Sequence, residues 1–305
     1  MGGPRWSATD WDTYTTKTHV GKKTKEIYRS STLAPELDPK GVTIREARDS
    51  ELSPESNAII IGLDVTGSMH SVLDAMARNM NTLVTEIYNR KPVTDPHIMC
   101  MGIGDVEYDR HPLQVTQFET DIRICQQLEK IYLESGGGGN SYESYAFAWY
   151  FAGMHTSIDC FEKRGKKGYL FTVGDEGVTP YLKSKHIGQT LGSCPEEDQL
   201  TADQLLAIAS KYYNVYHIMV EEGNHFRMHG DAVVKQWTNL LGQRAIRLAD
   251  HKLLTETIVS LIQVNEGVDK DDVINSWDGS TAVVVAKAIK DLKTGKSIDS
   301  DIVSF

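Results

Sequence analysis

Three oxygen-bearing side chains stand at alternate positions of one short stretch: Asp64, Thr66 and Ser68 in Asp64-Val65-Thr66-Gly67-Ser68-Met69. A second pair of carboxylates, Asp175-Glu176, follows Leu170-Phe171-Thr172-Val173-Gly174, and Asn140-Ser141 follow a run of four glycines, Gly136 to Gly139. Carboxylate, hydroxyl and amide oxygens form a ligand set for a hard cation, and one that keeps several waters is Mg²⁺ before Ca²⁺. Alternate residues of an extended turn project the same way, which places the oxygens at 64, 66 and 68 together. The competing reading is helix N-capping, for which Asp, Ser and Thr are good residues.

The elements around these residues predict where they meet. Residues 58–63 are a continuous apolar run, as in a strand buried on both faces. Val72, Ala75, Met76, Met80, Leu83, Val84 and Ile87 then recur at helical spacing up to Lys91-Pro92. Further strands are expected at 97–103, 113–118, 168–173, 215–220 and 244–248. Helices are expected at 122–133, 142–154, 202–211, 231–241 and 252–264. Six strands alternating with helices predict a doubly wound α/β layer structure. In such a sheet the working site lies outside the carboxyl ends of the strands, where Asp64 and Asp175 both fall.

Ile59-Ile60-Ile61-Gly62-Leu63-Asp64-Val65-Thr66-Gly67-Ser68-Met69 resembles the first motif of von Willebrand factor A domains, in which Asp-x-Ser-x-Ser opens a metal-ion-dependent adhesion site. Leu170-Phe171-Thr172-Val173-Gly174-Asp175-Glu176-Gly177 is similar to the third motif, where a strand ends in an Asp that reaches the metal mostly through water. The resemblance spans about residues 57–265. It implies a mostly parallel, Rossmann-like six-stranded sheet with helices on both faces and one antiparallel edge strand. It also implies a bound Mg²⁺, with Mn²⁺ or Ca²⁺ as substitutes, whose open coordination position takes a carboxylate from a protein partner. The implied ligands are Asp64, Thr66, Ser68 and Asp175, completed by Asn140 or Ser141. Gly67, Met69, Glu143, Glu176, His225 and His229 are the residues expected to touch the partner. The chain departs from the family twice. Thr66 replaces the usual Ser and keeps the hydroxyl. Gly139 stands where the second motif supplies a Thr, leaving Asn140, Ser141 or Glu143 to substitute. Two carboxylates near the ion would leave it attractive to an incoming Asp or Glu, and with no evident base the expected role is non-enzymatic.

The rest of the chain frames this region. Residues 1–56 read as an N-terminal arm without helical period, 57–265 as the von Willebrand factor A-like domain, and 266–305 as a C-terminal extension with a helix at 281–292. The arm carries Lys17, Lys22, Lys23, Lys25 and Arg29 against Glu26, which reads as a solvated basic segment lying on an acidic body, anchored by Trp6, Trp11 and Ile27. The alternative is a basic arm that grips an acidic partner. Over 305 residues the net charge is −10, unsuited to duplex DNA, whose phosphates require clustered Lys and Arg. No stretch approaches a membrane span, the start has no apolar leader, and Cys100, Cys125, Cys160 and Cys194 are scattered. These features lead to the expectation of reduced thiols and a cytoplasmic location.

Other signals carry less. His225-Phe226-Arg227-Met228-His229 has the spacing of a helical zinc pair, but Gly223 and Gly230 favour a loop. Asp105 after Gly102-Ile103-Gly104 is either a supporting acid or a turn residue, and Thr294-Gly295-Lys296-Ser297 lacks the earlier glycine of a phosphate loop. A haloacid-dehalogenase-like phosphohydrolase would also place Asp64 after the first strand, yet Thr66 and Thr179 stand where it needs acids. An assembly subunit with an incidental metal is the remaining alternative. Some intracellular relatives of the resembled fold are adaptors for AAA+ ATPases, which makes such an ATPase a candidate partner, and the Ro autoantigen relatives bind RNA through a repeat not visible here.

Overall fold

The computed structural model describes residues 7–134 and 140–294; Trp6, Gly136 to Gly139 and Gly295 to Ser297 lie outside these. The amino-terminal part comprises α1 (Ala8–Thr18), α2 (Thr24–Ile27) and β1 (Arg45–Ala47). Then come β2 (Asn57–Asp64), α3 (His70–Arg90), β3 (Pro96–Ile103), β4 (Leu113–Val115) and α4 (Arg123–Leu128). The middle of the chain forms β5 (Tyr142–Glu143), α5 (Tyr145–Met154), β6 (Thr156–Ile158), α6 (Asp159–Glu162), β7 (Gly168–Gly174), β8 (Gly177–Val178) and β9 (Tyr181–Lys183). After these follow α7 (Ser184–Leu191), β10 (Gln199–Thr201), α8 (Ala202–Ser210), β11 (Tyr213–Val220), α9 (Asn224–Leu241) and β12 (Ala245–Leu248). The helices α10 (Leu254–Asn265), α11 (Lys270–Asn275) and α12 (Gly279–Ile289) complete the described chain.

Six strands form one sheet in the order β12-β11-β7-β2-β3-β4, all parallel except β4, which runs antiparallel to β3. Every residue of β2, β3, β7 and β11 is buried, as expected for strands covered on both faces. One face carries α3, α10 and α12 with the amino-terminal α1 and α2; the other carries α5, α8 and α9. This is a Rossmann-like, doubly wound architecture. The chain order reverses between β2 and β7, so the crevice at a topological switch point opens between their carboxyl ends.

Local chemistry accounts for the elements that border the crevice. Helix α3 buries Val72, Leu73, Met76, Met80, Leu83, Val84 and Ile87 along one stripe and ends at Lys91 (φ +49°), beyond which Pro92 cannot extend it. Helix α5 is buried on nearly every side because it lies between the sheet and α8.

Several sequence expectations shift. The third strand stops at Val115, the helix expected at 122–133 covers only α4, and residues 142–143 form a strand instead of a helical turn. The amino-terminal segment contains α1, capped by the Ser7 side chain accepting from Asp10 N. Its contact with the body has an apolar centre, with Trp11, Ile27 and Tyr28 buried in the core on the α3 face, and His19 Nε2 lies 2.7 Å from Glu129 Oε1 beside it. The lysine run does not dock it. Among the described residues Lys17, Lys22, Lys23, Lys25 and Arg29 form no ion pair, while Arg78 of α3 donates to the His19 and Lys22 carbonyls. A guanidinium there satisfies carbonyls at the end of a short helix, which long solvated lysines have no reason to do.

Candidate metal centre

Strand β2 delivers Asp64 to the rim of the sheet, where it is 1% exposed. Its Oδ1 accepts from Thr66 N (2.9 Å) and Thr66 Oγ1 (2.6 Å), and its Oδ2 accepts from the Tyr145 hydroxyl (3.0 Å). Gly67–Met69 then form one 3-10 turn before α3. The capping reading fails here: α3 has no side-chain cap, and the exposed Ser68 directs its hydroxyl to Asp175 Oδ1, 3.4 Å away. Asp175, fully buried just beyond β7, accepts at Oδ2 from His225 N in the first turn of α9. A carboxylate at a helix N-terminus meets unpaired N–H groups and the positive end of the helix dipole. The crevice is tight, since a Cβ on Gly223 would lie 2.3 Å from Asp175 Oδ2.

Asn140 and Ser141 take different positions. Asn140 donates from Nδ2 to Asp105 Oδ2 (2.5 Å), whereas Ser141 is exposed and its carbonyl accepts from Gly177 N. Glu143 is 2% exposed on β5, which pairs in parallel with β8 beside Asp175-Glu176. The site therefore holds more acid than the expected two carboxylates, because pairing of two short strands brings Glu143 and Glu176 inward. Burial, together with the charges of Asp64 and Glu176, pushes the Glu143 carboxyl far above the usual range. Burial also raises Asp64 and Asp175, with Asp175 adding to the shift at Asp64, and it lifts Glu176 to about 8. Crowded carboxyls that resist ionisation are the condition a cation relieves. Asp64, Thr66, Ser68 and Asp175 thus fit a hard divalent ion by donor type and by charge.

Of the residues expected to touch a partner, Gly67 lies at the surface, but Met69 is 1% exposed and packs in the core, so it is not available to a partner. His225 and His229 lie in α9 and not in a loop, because Gly223 serves as the N-cap and the helix is kinked at His229 (φ −130°) and continues through Gly230. Their rings are 4.8 Å apart, and His225 Nδ1 is 3.9 Å from Glu176 Oε1. Tyr145 was not singled out by sequence, because a helix apolar on all sides has no period to mark one face. A further acidic and histidine cluster was also missed. Glu222, Asp250 and His251, on the loops after β11 and β12, bring ligand atoms within 4.8 Å of one another and could hold a divalent ion. His251 Nδ1 lies 2.6 Å from Glu222 Oε2.

The described chain is thus a doubly wound α/β sheet with an acidic rim at its topological switch point. No protein-family model matches the chain, and no curated protein matches it. Two crystal structures of the pilus adhesin SpaC from Lactobacillus rhamnosus GG are similar, with TM-scores of 0.47 and 0.45 and 11% and 10% sequence identity. The similarity covers 72% of this chain and 31% and 32% of the adhesin chains, so it spans about a third of their length. The cytoplasmic expectation is corrected at this point, since the similar solved chains are pilus adhesins. Cys100, Cys125 and Cys160 are buried, and packing alone accounts for them. Among the described residues no helix is long and apolar enough to cross a membrane.

Proposed function

We propose that this chain is a cation-dependent protein-binding module whose partner presents an Asp or Glu carboxylate at the crevice between β2 and β7. The observation that carries this reading is the convergence of Asp64 and Asp175 from the two strands at the switch point, with the exposed Ser68 of the Asp64 loop donating its hydroxyl to Asp175. Asp64, Thr66 and Ser68 would hold a Mg²⁺ from the first loop and Asp175 from the opposite side. When bound, the ion supplies an open position for an incoming carboxylate. The chain's own residues orient the ligands. Tyr145 and Thr66 fix the Asp64 carboxyl, and the start of α9 fixes Asp175. The exposed Gly67 and Ser68 leave room above the site for a partner side chain.

Immobilised peptides carrying a single Asp or Glu, paired with Asn or Gln counterparts, test this directly. Retention of the full chain on the acidic peptides in Mg²⁺, lost in EDTA and absent on the amide peptides, supports the proposal. Retention unchanged by EDTA, or equal on acidic and amide peptides, contradicts it. A phosphatase activity dependent on Asp64 would favour hydrolysis instead.

A further inference from the structure

The crevice holds oxygens that the first cation position does not use. Glu143 is 2% exposed, and its Oε2 has no hydrogen-bond partner. Three residues earlier, the Oδ1 of Asn140 is likewise buried without a partner. Buried polar atoms are nearly always satisfied, so two orphaned acceptors on one short segment call for a donor or a cation. A cation suits them better, because the largest electrostatic interactions of Glu143 are with Asp64, Glu176, Asp109 and Asp105, all of them acids.

The same segment is fastened to the loop after β3. Asn140 Nδ2 donates to Asp105 Oδ2 (2.5 Å), and Ser144 Oγ accepts from Val106 N (2.9 Å). Asp109 folds back onto the same loop, its Oδ2 accepting from Asp105 N (2.7 Å). Asp105 is itself 2% exposed. Asn140 therefore touches Asp105, and Val106 and Ser144 are bonded to one another, which sets the 140–144 segment against the 105–109 loop, on different loops from Ser68 and Asp175.

The surrounding chemistry points the same way. Asp64, Asp105, Asp109, Glu143, Asp175 and Glu176 interact electrostatically around the crevice, a density of carboxyls that a single divalent ion would only partly relieve. Both oxygens of Asp64 and of Asp175 are engaged with Thr66, Tyr145, Ser68 and His225, whereas those of Asn140 and Glu143 named above are not.

We infer that the chain has a second divalent-cation site, formed by Asp105, Asn140 and Glu143, beside the position of Asp64, Thr66, Ser68 and Asp175. Its carboxylate and amide oxygens suit a hard ion such as Ca²⁺ or Mn²⁺. This inference does not rest on the carboxylate-binding role proposed above, because it concerns ion number and not partner capture.

Equilibrium dialysis of the full chain against Mn²⁺, with bound metal counted by atomic absorption, tests it. Glu143→Gln and Asp105→Asn should each bind one ion fewer per chain than wild type. Asp64→Ala should lose a different ion, so that Asp64→Ala combined with Glu143→Gln loses two. Glutamine and asparagine preserve shape and remove a buried charge, and two independent variants guard against misfolding of either. Wild-type stoichiometry in both Glu143→Gln and Asp105→Asn overturns the second site. So does loss of only one ion in the double variant, because Glu143 would then serve the Asp64 ion.

Discussion

The Tyr145 hydroxyl donates to Asp64 Oδ2 over 3.0 Å, joining the start of α5 to the end of β2 at the point where the sheet reverses its chain order. Tyr145 cannot shift freely, because a Cβ on Gly174 would sit 1.7 Å from its hydroxyl oxygen. Asp64 is thus positioned by a packed aromatic ring as well as by its own turn. Tyr145→Phe should leave the fold intact and destabilise it by roughly 1–2 kcal/mol in urea unfolding, the usual worth of a hydrogen bond to an ionisable group. It should also weaken Mg²⁺ binding with little change in the far-ultraviolet circular dichroism.

Gly174→Ala should do more damage than Tyr145→Phe, since it forces the ring out of its place. Overpacking of this kind costs about 1–3 kcal/mol, and relaxation here requires moving Tyr145 away from Asp64. Calorimetric unfolding should show a lower midpoint for Gly174→Ala than for Tyr145→Phe. The opposite ranking would mean that the aromatic ring has room that the packing does not indicate.

Trp11 tests whether the amino-terminal arm is part of the structural core. It is fully buried on the α3 face, 46 residues before the first strand of the main sheet by number (57 − 11). Trp11→Ala should cost about 3–5 kcal/mol, as for other large-to-small core changes. Substituting Lys17 or Lys23 by Ala should change stability by less than about 0.5 kcal/mol, as at other surface positions. Denaturant melts of the three variants separate apolar docking from electrostatic docking.

Acid sensitivity should come partly from His97, at the start of β3. It is 6% exposed, and burial lowers its pKa from 6.5 to about 4. Between those values the unfolded chain takes up a proton that the folded chain refuses, so stability is full above pH 6.5 and falls as pH drops towards 4. At about 1.4 kcal/mol per unit the full loss is ~3 kcal/mol. Unfolding free energies measured across this range should fall less steeply in His97→Gln than in wild type.

Much of this framework was legible because its signals are local and strong. The Ile59-Ile60-Ile61 run and the oxygens at 64, 66 and 68 mark a buried strand and the turn that follows it. Alternation of strands and helices placed Asp64 and Asp175 at one end of the sheet, as observed. What was missed depends on distant contacts. Helix α1 is rich in Thr, a poor helix former, and its Trp11 is buried against the body, so packing outweighs propensity. Glu143 faces inward only because β5 pairs with β8, a contact between segments over thirty residues apart (177 − 142 = 35). The glycines flanking His225 and His229 resemble loop punctuation, yet one is an N-cap and the other continues a kinked helix.

The central claim is that partner capture runs through the ion at Asp64, and the decisive measurement is the affinity of Asp64→Ala for an Asp-bearing peptide in saturating Mg²⁺. Removing a buried carboxyl that neighbouring acids already disfavour offsets the loss of its bonds to Thr66 and Tyr145, so the fold should stay intact and in EDTA the variant should unfold within about 1–2 kcal/mol of wild type. The account predicts a folded protein that no longer binds the peptide. Binding at wild-type affinity by folded Asp64→Ala would contradict it.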